Sequence, residues 1–296
     1  MELIKRLPEG IKYLENEPMS RHTTFRTGGP ADLVLLPSSP DELKETLRVL
    51  REEGVKPEIV GNGSNLLVSD KGIRGVVVML GGLDEMRVEG ERITCGAGAS
   101  LIRFCTFAAE NSLSGAESLY GIPGTVGGAV YMNAGAYGSE IKDILESVDY
   151  IDADGSEGTL RGVEGYGYRH SPFSDGDRVI TSATFALTAG DREEIEAKMA
   201  EIKARRVEKQ PLNLPSAGSV FKRPEGYFAA ALIDQSGLKG TAVGGARVSE
   251  KHAGFIVNTG GATTTDILQL IEIVRDKVFK DSGVMLETEV RFTGER

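Results

Sequence analysis

The sequence is poor in the residues that staple or metallate a domain. Two cysteines, Cys95 and Cys105, occur among 296 residues, and they form no Cys-x-x-Cys pair. Disulfide scaffolding and a zinc site are therefore not expected, and the chain suits a reducing compartment. The three histidines, His22, His170 and His252, are scattered, so a metal centre built on histidine is not expected either. There is no basic excess. Forty-four acidic residues against 34 basic ones leave a net charge of −10, which speaks against nucleic acid as a partner. A negative total does not bar phosphorylated small molecules, because a local field can oppose the global one. No Gly-Lys-Ser/Thr occurs, so a Walker loop is out. The N-terminus lacks the apolar core of a signal peptide. The uncharged run over residues 118–139 is long enough to span a membrane, but its Gly, Pro and Asn would leave backbone polar groups unsatisfied in lipid. Repeats and low-complexity linkers are absent, and a cytoplasmic enzyme is the expectation.

What the chain does have is glycine in one place. The 18 residues Gly121-Ile122-Pro123-Gly124-Thr125-Val126-Gly127-Gly128 through Gly138 hold six glycines and no charge. Glycines this dense let main-chain N–H groups approach a ligand and adopt positive φ. Such N–H groups can hold a diphosphate without Lys or Arg. A second loop, Gly61-Asn62-Gly63-Ser64-Asn65, follows a strand as a dinucleotide fingerprint should. It fails that fingerprint at Leu66, where the third glycine is due, and no long helix pattern follows. Gly96-Ala97-Gly98 has the same defect. Two glycine loops rich in Asn, Ser and Thr donors can clamp a diphosphate between them; the alternative is tight turns and close packing only.

The pattern along the chain is mixed. Ser39 as N-cap, Pro40 in the first turn, Leu43, Leu47 and Leu50 on one face and Gly54 as a stop predict a helix. Strands are expected at 58–60, 75–80 and 93–95, with a helix after Ser100 that turns Leu101, Phe104, Cys105 and Ala108 inward. Strands 145–153 and 157–161 flank Asp154-Gly155, a hairpin signal. A strand is expected from Val179 to Leu187. Asp191 caps a charged helix with Ile195, Met199 and Ile202 inward. Then come a loop with Ser216-Ala217-Gly218-Ser219, a helix near 226–236, strands near 242–249 and 255–258, a helix over 264–280 and an alternating strand over 284–292. The expected division is 1–82, 83–189 and 190–296, with the last strand, 284–296, a candidate to return to the core.

Motifs narrow the reading. The pair of glycine loops resembles the FAD-binding fold of the vanillyl-alcohol-oxidase type. Tyr166-Gly-Tyr-Arg169-His-Ser-Pro-Phe173, Ser216-Ala-Gly-Ser219-Val-Phe-Lys-Arg-Pro224 and Leu286-Glu-Thr-Glu289-Val-Arg-Phe292 are similar to the signature segments of the UDP-N-acetylenolpyruvoylglucosamine reductases. His22 to Gly29 and Val248 to Phe255 match the same pattern, and the likeness runs in order through nearly the whole chain. The resemblance implies an α+β fold: two lobes binding FAD without a covalent link, at Gly61, Asn62, Gly63, Ser64, Asn65, Gly121, Ile122, Pro123, Gly124, Thr125, Gly127 and Gly128, plus a C-terminal α+β substrate-binding domain. It implies NADPH as reductant, UDP-N-acetylglucosamine enolpyruvate as substrate, no metal, and Arg169, Ser219 and Glu289 as catalytic residues. The chain resembles the shorter subgroup that lacks a loop bearing a substrate-covering tyrosine. Arg223 stands where some members have Asn, and Thr288 where some have Pro.

The chemistry suits these residues. Hydride addition to the methylene carbon of an enolpyruvyl ether builds charge that spreads into the carboxylate. A fixed cation there is worth roughly 3–4 kcal/mol if it acts as oxyanion-hole donors do. Arg169 has the planar fork for a carboxylate. Glu289 is suited to sharing a proton with the developing charge, which calls for a raised pKa in a dry pocket. Ser219 is a weak acid facing a strongly basic carbon, so a placed hydroxyl suffices, and Lys222 and Arg223 flank it. Lys222, Arg223 and Lys239 are candidates for substrate anions. The plainer alternatives are a surface ion pair for Arg169, a turn or cap for Ser219, and a solvated charge row for Glu289. Two other functions stay open: a different FAD oxidoreductase of this fold, and a non-catalytic nucleotide-sugar sensor.

Overall fold

The computed structural model of the chain describes residues 2–174 and 176–295, and of Glu2 the backbone alone. The helices are α1 (Glu2–Arg6), α2 (Pro40–Glu52), α3 (Leu101–Glu110), α4 (Val126–Tyr131), α5 (Arg192–Lys209), α6 (Ala229–Gln235) and α7 (Thr264–Ser282). The strands of three or more residues are β1 (Lys12–Pro18), β2 (Pro30–Leu36), β3 (Glu58–Val60), β4 (Leu66–Val68), β5 (Ile73–Met79), β6 (Met86–Glu89) and β7 (Arg92–Gly96). They continue as β8 (Leu145–Ile151), β9 (Glu157–Arg161), β10 (Val179–Ala186), β11 (Ala246–Val248), β12 (Ile256–Asn258) and β13 (Arg291–Thr293). The chain divides into two compact units: residues up to 14, 33–62 and 75–204 form unit 1, and residues 15–32, 63–74 and 205–296 form unit 2.

Unit 1 is built on a five-stranded antiparallel sheet in the order β9-β8-β10-β7-β6. A second sheet runs β1-β2-β5-β3, with β3 and β5 parallel. Helix α2 forms as its sequence dictates. Ser39 Oγ accepts from Glu42 N at 3.2 Å, Leu43 and Leu50 are fully buried, and Gly54 ends the turn at φ 66°. Helix α3 buries Leu101, Phe104, Cys105 and Ala108, and the Phe104 ring meets Phe185 of β10 at 4.5 Å between centroids. The β8–β9 hairpin closes through Gly155 at φ 87°, whose N–H donates to Asp152 O at 2.8 Å. Burial pushes the Cys95 thiol up to about 12 and raises that of Cys105 further, so both are inert core residues.

Unit 2 packs α6 and α7 with a small antiparallel sheet in which Ala242–Val243, β11 and β12 are neighbours. Its core gathers Phe25, Leu67, Val220, Phe221, Ile233, Val248, Leu270, Val274 and Leu286. Helix α7 starts in a capping box, in which Thr263 Oγ1 accepts from Asp266 N and Asp266 accepts from Thr263 N. The chain's last strand, β13, pairs in parallel with β4 in the register Arg291 with Leu66 and Thr293 with Val68.

Several expected elements come out differently. The strand expected over 284–292 is extended backbone for most of its length and enters a ladder only at Arg291–Thr293. Its alternation is real, with Leu286 and Val290 buried and Glu287 exposed. Its partner over 219–222 is an irregular loop that offers a single bridge, Phe221 with Thr288. The strand expected over 242–249 is broken by Gly244 at φ 52°. The helix expected from 226 starts at Ala229 because Gly226 holds φ 75°. Strands β1 and β2 are absent from the sequence reading; the β1 burial pattern is almost wholly exposed and has no alternation to detect.

Candidate functional site

Gly61, which opens the first glycine loop, and Thr125 of the second lie together in unit 1. Strand β3 delivers Gly61 against Thr125, so closely that an added Cβ would lie 2.4 Å from Thr125 Oγ1. Thr125 is the N-cap of α4 and accepts from Gly128 N at 3.2 Å. Leu101 N donates to Gly124 O at 3.1 Å and Val126 N to Ala99 O at 2.8 Å, which fixes the loop to the start of α3. Gly127 N donates to Ala97 O at 2.8 Å, and a Cβ at Gly127 would meet Ala97 Cβ at 2.8 Å. The amides of Val126, Gly127 and Gly128 are thus engaged by protein acceptors. Gly127 serves close packing, whereas Gly128 is exposed and lets a ligand approach the backbone.

Other amides are not engaged. Among the described residues, the N–H groups of Asn62, Gly63, Ser64, Gly121, Gly124 and Thr125 donate to no protein acceptor. Ser118 Oγ, three residues ahead of Gly121, is buried with no hydrogen-bond partner among the described residues. Unengaged main-chain donors are what a dinucleotide diphosphate needs, so these loop residues fit the FAD that the motifs imply. Ile122 N donates to Leu119 O at 3.1 Å, and Pro123 has no N–H, so these two shape the loop. The turn before them is braced by Glu117, which is 4% exposed and accepts from Ser114 Oγ at 2.6 Å and Gly115 N at 3.0 Å. Burial works to raise the Glu117 pKa. The hydrogen bonds from Ser114 and the main chain outweigh it and hold the carboxyl below its ordinary range.

Arg169 sits in unit 1 on a tight turn in which Gly167 N donates to His170 O at 3.0 Å and His170 N returns to Gly167 O at 3.2 Å. Its φ of 55° is left-handed, its Nη2 donates to Gly135 O at 3.2 Å, and its guanidinium lies 4.9 Å from the Tyr168 ring centroid. It is half-buried and makes these contacts. Burial raises the pKa of Tyr166 in the same motif, and its hydroxyl has no hydrogen-bond partner among the described residues.

Ser219 and Glu289 come together in unit 2. Gly218 at φ 74° turns the loop so that Ser219 bridges Phe255, while Val220 N donates to Gly254 O at 2.9 Å. Glu289 N donates to Val220 O at 2.7 Å, and Lys222 N to Glu287 O at 2.9 Å. The serine loop and the glutamate strand therefore run side by side, joined through their main chains. The glycine loop joins them too. Asn65 Nδ2 donates to Glu289 O at 3.0 Å and Asn65 O accepts from Arg291 N at 2.9 Å. Asn65, expected as a cofactor contact, is also the clamp on the glutamate's backbone. Its neighbour Gly63 is locked by packing, since a Cβ there would lie 2.0 Å from His22 O.

The cations expected for substrate anions are placed less centrally. Lys222 Nζ lies 3.4 Å from Glu287 Oε2 in an exposed pair, and Lys239 Nζ lies 2.7 Å from Asp234 Oδ2. Arg223 stacks on the exposed Phe228 ring at 4.1 Å. No group of His, Cys, Asp and Glu suited to a metal occurs among the described residues. No described helix is long and apolar enough to cross a membrane. One residue that sequence reasoning passed over is Asn133, fully buried with φ 42° beside the Arg169 turn. Its only sequence signal is an amide side chain inside an uncharged, glycine-rich run.

Comparison with known proteins agrees with this geometry. The family model described as an FAD binding domain matches residues 31–161. The model described as the C-terminal domain of UDP-N-acetylenolpyruvoylglucosamine reductase matches residues 210–293. The chain is 50% identical over 291 residues to the UDP-N-acetylenolpyruvoylglucosamine reductase of Caldanaerobacter subterraneus subsp. tengcongensis, covering 98% of this chain and 96% of that one. A solved reductase of that name from Thermus caldophilus superposes with a TM-score of 0.82 at 36% identity, over 95% of this chain and 98% of the other. A glucose dehydrogenase, Phl p 4.0202, shares the fold at a TM-score of 0.51 and 13% identity, over 74% of this chain and 51% of its own.

Proposed function

The chain belongs to the UDP-N-acetylenolpyruvoylglucosamine reductase family and is an FAD oxidoreductase, and on that premise we propose that it reduces the enolpyruvyl ether of UDP-N-acetylglucosamine to UDP-N-acetylmuramate with NADPH. The FAD-binding part comprises residues 1–82 and 83–189, and residues 190–296 bind substrate. Non-covalent FAD, when bound, supplies the hydride that NADPH provides. The amides of Asn62, Gly63, Ser64, Gly121, Gly124 and Thr125 hold its diphosphate, the exposed backbone of Gly128 admits it, and Gly61 and Gly127 hold the loops in close packing. Arg169 grips the substrate carboxylate and steadies the charge that spreads into it as hydride reaches the methylene carbon. Ser219 Oγ then gives its proton to the adjacent carbon, which completes the saturated lactyl ether. Glu289, running beside the serine loop, balances the charge on the same group. Lys222 and Arg223 ease the loss of the serine proton. These reactants suit the cytoplasm.

The observation that carries this reading is the main-chain bond from Glu289 to Val220, 2.7 Å long, which sets the glutamate strand against the serine loop. An oxidase of small alcohols has no need of a proton donor aimed at carbon. The test is an anaerobic two-step titration. The expected result is a yellow protein, bleached by NADPH and recoloured by the enolpyruvyl substrate without oxygen. Recolouring by oxygen alone favours an oxidase, and a colourless protein that binds the nucleotide sugar favours a sensor.

A further inference from the structure

Asn133 lies two residues past α4, inside the uncharged glycine-rich stretch, and every bond its side chain makes runs to residues 140–167 of unit 1. Its Nδ2 donates to Gly167 O at 2.8 Å and to Glu140 Oε2 at 3.0 Å, and its Oδ1 accepts from Lys142 N at 3.0 Å. Both amide donors are in use, in a residue with no exposed surface. The φ of 42° is a left-handed conformation that asparagine tolerates better than most residues. Two residues on, Gly135 O receives the Arg169 guanidinium at 3.2 Å. The segment 133–135 therefore holds the Arg169 turn at two points, once at the main chain of Gly167 and once at the charged group itself. Behind it, Ser171 Oγ donates to Tyr131 O at 2.7 Å, so the same turn is also tied to the last residue of α4.

We infer that Asn133 is a positioning residue. Its carboxamide fixes the Arg169 turn to the helix that begins at the flavin loop, and so sets where the guanidinium meets the substrate carboxylate. The inference rests on the proposed role of Arg169. Losing the amide leaves Gly167 O without this donor, and the turn relaxes. A shift of about 1 Å in a charged positioning group costs on the order of 100-fold in rate. Flavin binding does not depend on this bond, because the unengaged amides of the loop lie ahead of α4.

Asn133→Gly is the chosen variant, since glycine accepts positive φ and removes the side chain without backbone strain. It is expected to retain flavin and bleaching by NADPH, while recolouring by the enolpyruvyl substrate slows about 100-fold. Affinity measured by calorimetry is expected to fall for the enolpyruvyl ligand and to hold for UDP-N-acetylglucosamine, which lacks the carboxylate. In an Arg169→Ala background, Asn133→Gly is expected to add less than about 3-fold, because both act through one group. Unchanged recolouring, equal loss of both half-reactions, or full multiplication on Arg169→Ala overturns the inference. If Arg169→Ala itself recolours normally, the role of Arg169 falls and this inference with it. If Arg169→Ala is slow and Asn133→Gly is not, the inference alone falls. Should Asn133→Gly fail to fold, Asn133→Ser retains a single short donor and carries the same readouts and outcomes.

Discussion

Gly61 and Thr125 share a space too small for one methyl group. A Cβ at Gly61 would lie 2.4 Å from Thr125 Oγ1, and that hydroxyl is already held by Gly128 N. Gly61→Ala is expected to push the two loops apart, lowering stability by about 1–3 kcal/mol and lowering FAD affinity with it. Thermal unfolding and FAD titration check this; an alanine variant with unchanged affinity contradicts the junction. Ser219 gives the complementary prediction. Ser219→Ala is expected to keep its colour and its bleaching by NADPH, while recolouring by substrate slows about 100- to 10,000-fold, the range for a positioned acid. Stopped-flow measurement of each half-reaction decides, and equal loss of both contradicts the role. At this scale the positions of the glycine loops are legible from the density of one residue type, while the roles of Ser219 and Glu289 rest on the motif resemblance alone. That Gly127 and Gly128 have their amides engaged inside the protein was not legible. Composition reports where glycine stands but not which acceptor its N–H finds. Asn133 was missed for a related reason, since one asparagine carries no periodicity and its buried bonds run to partners up to 34 positions away.

At the scale of elements, helices are legible where caps and apolar spacing agree, as in α2 and α5, and in α3 from apolar spacing alone. Segments whose partners are loops were read less well. The extended run 284–290 alternates like a strand, yet it pairs with the irregular loop 219–222, and nothing local to a strand records its partner's shape. The turn at 249–255 shows how such a loop is stabilised. Gly254 N donates to His252 Nδ1 at 3.2 Å, Gly254 O accepts from Val220, and the His252 ring packs edge-on against Phe255. Burial, aided by the charge of Lys239, lowers the His252 pKa from its ordinary 6.5 despite a main-chain hydrogen bond that works the other way. The unfolded chain then binds more protons at this residue than the folded one. The His252 contribution is present above pH 6.5 and is lost as pH falls through the lowered folded value. His252→Asn is expected to flatten the decline in melting temperature below that pH. Parallel slopes for the two proteins would contradict it.

At the scale of the whole molecule, the acidic total, the scarcity of cysteine and the missing Walker and Rossmann patterns removed more functions than any motif established. The −10 charge is compatible with an anionic cofactor because the expected cradle uses main-chain N–H groups rather than a basic surface. The similarity to relatives extends over nearly the full chain, so fold and chemistry are matched together rather than by a single domain. The most direct test is the flavin content of the purified chain. Heat-denatured protein is expected to release one FAD per chain into solution, and the stripped chain to rebind it one to one. A colourless chain that refuses added FAD, or flavin that stays attached to the precipitate, contradicts a cofactor held without a covalent bond by the amides of these two loops.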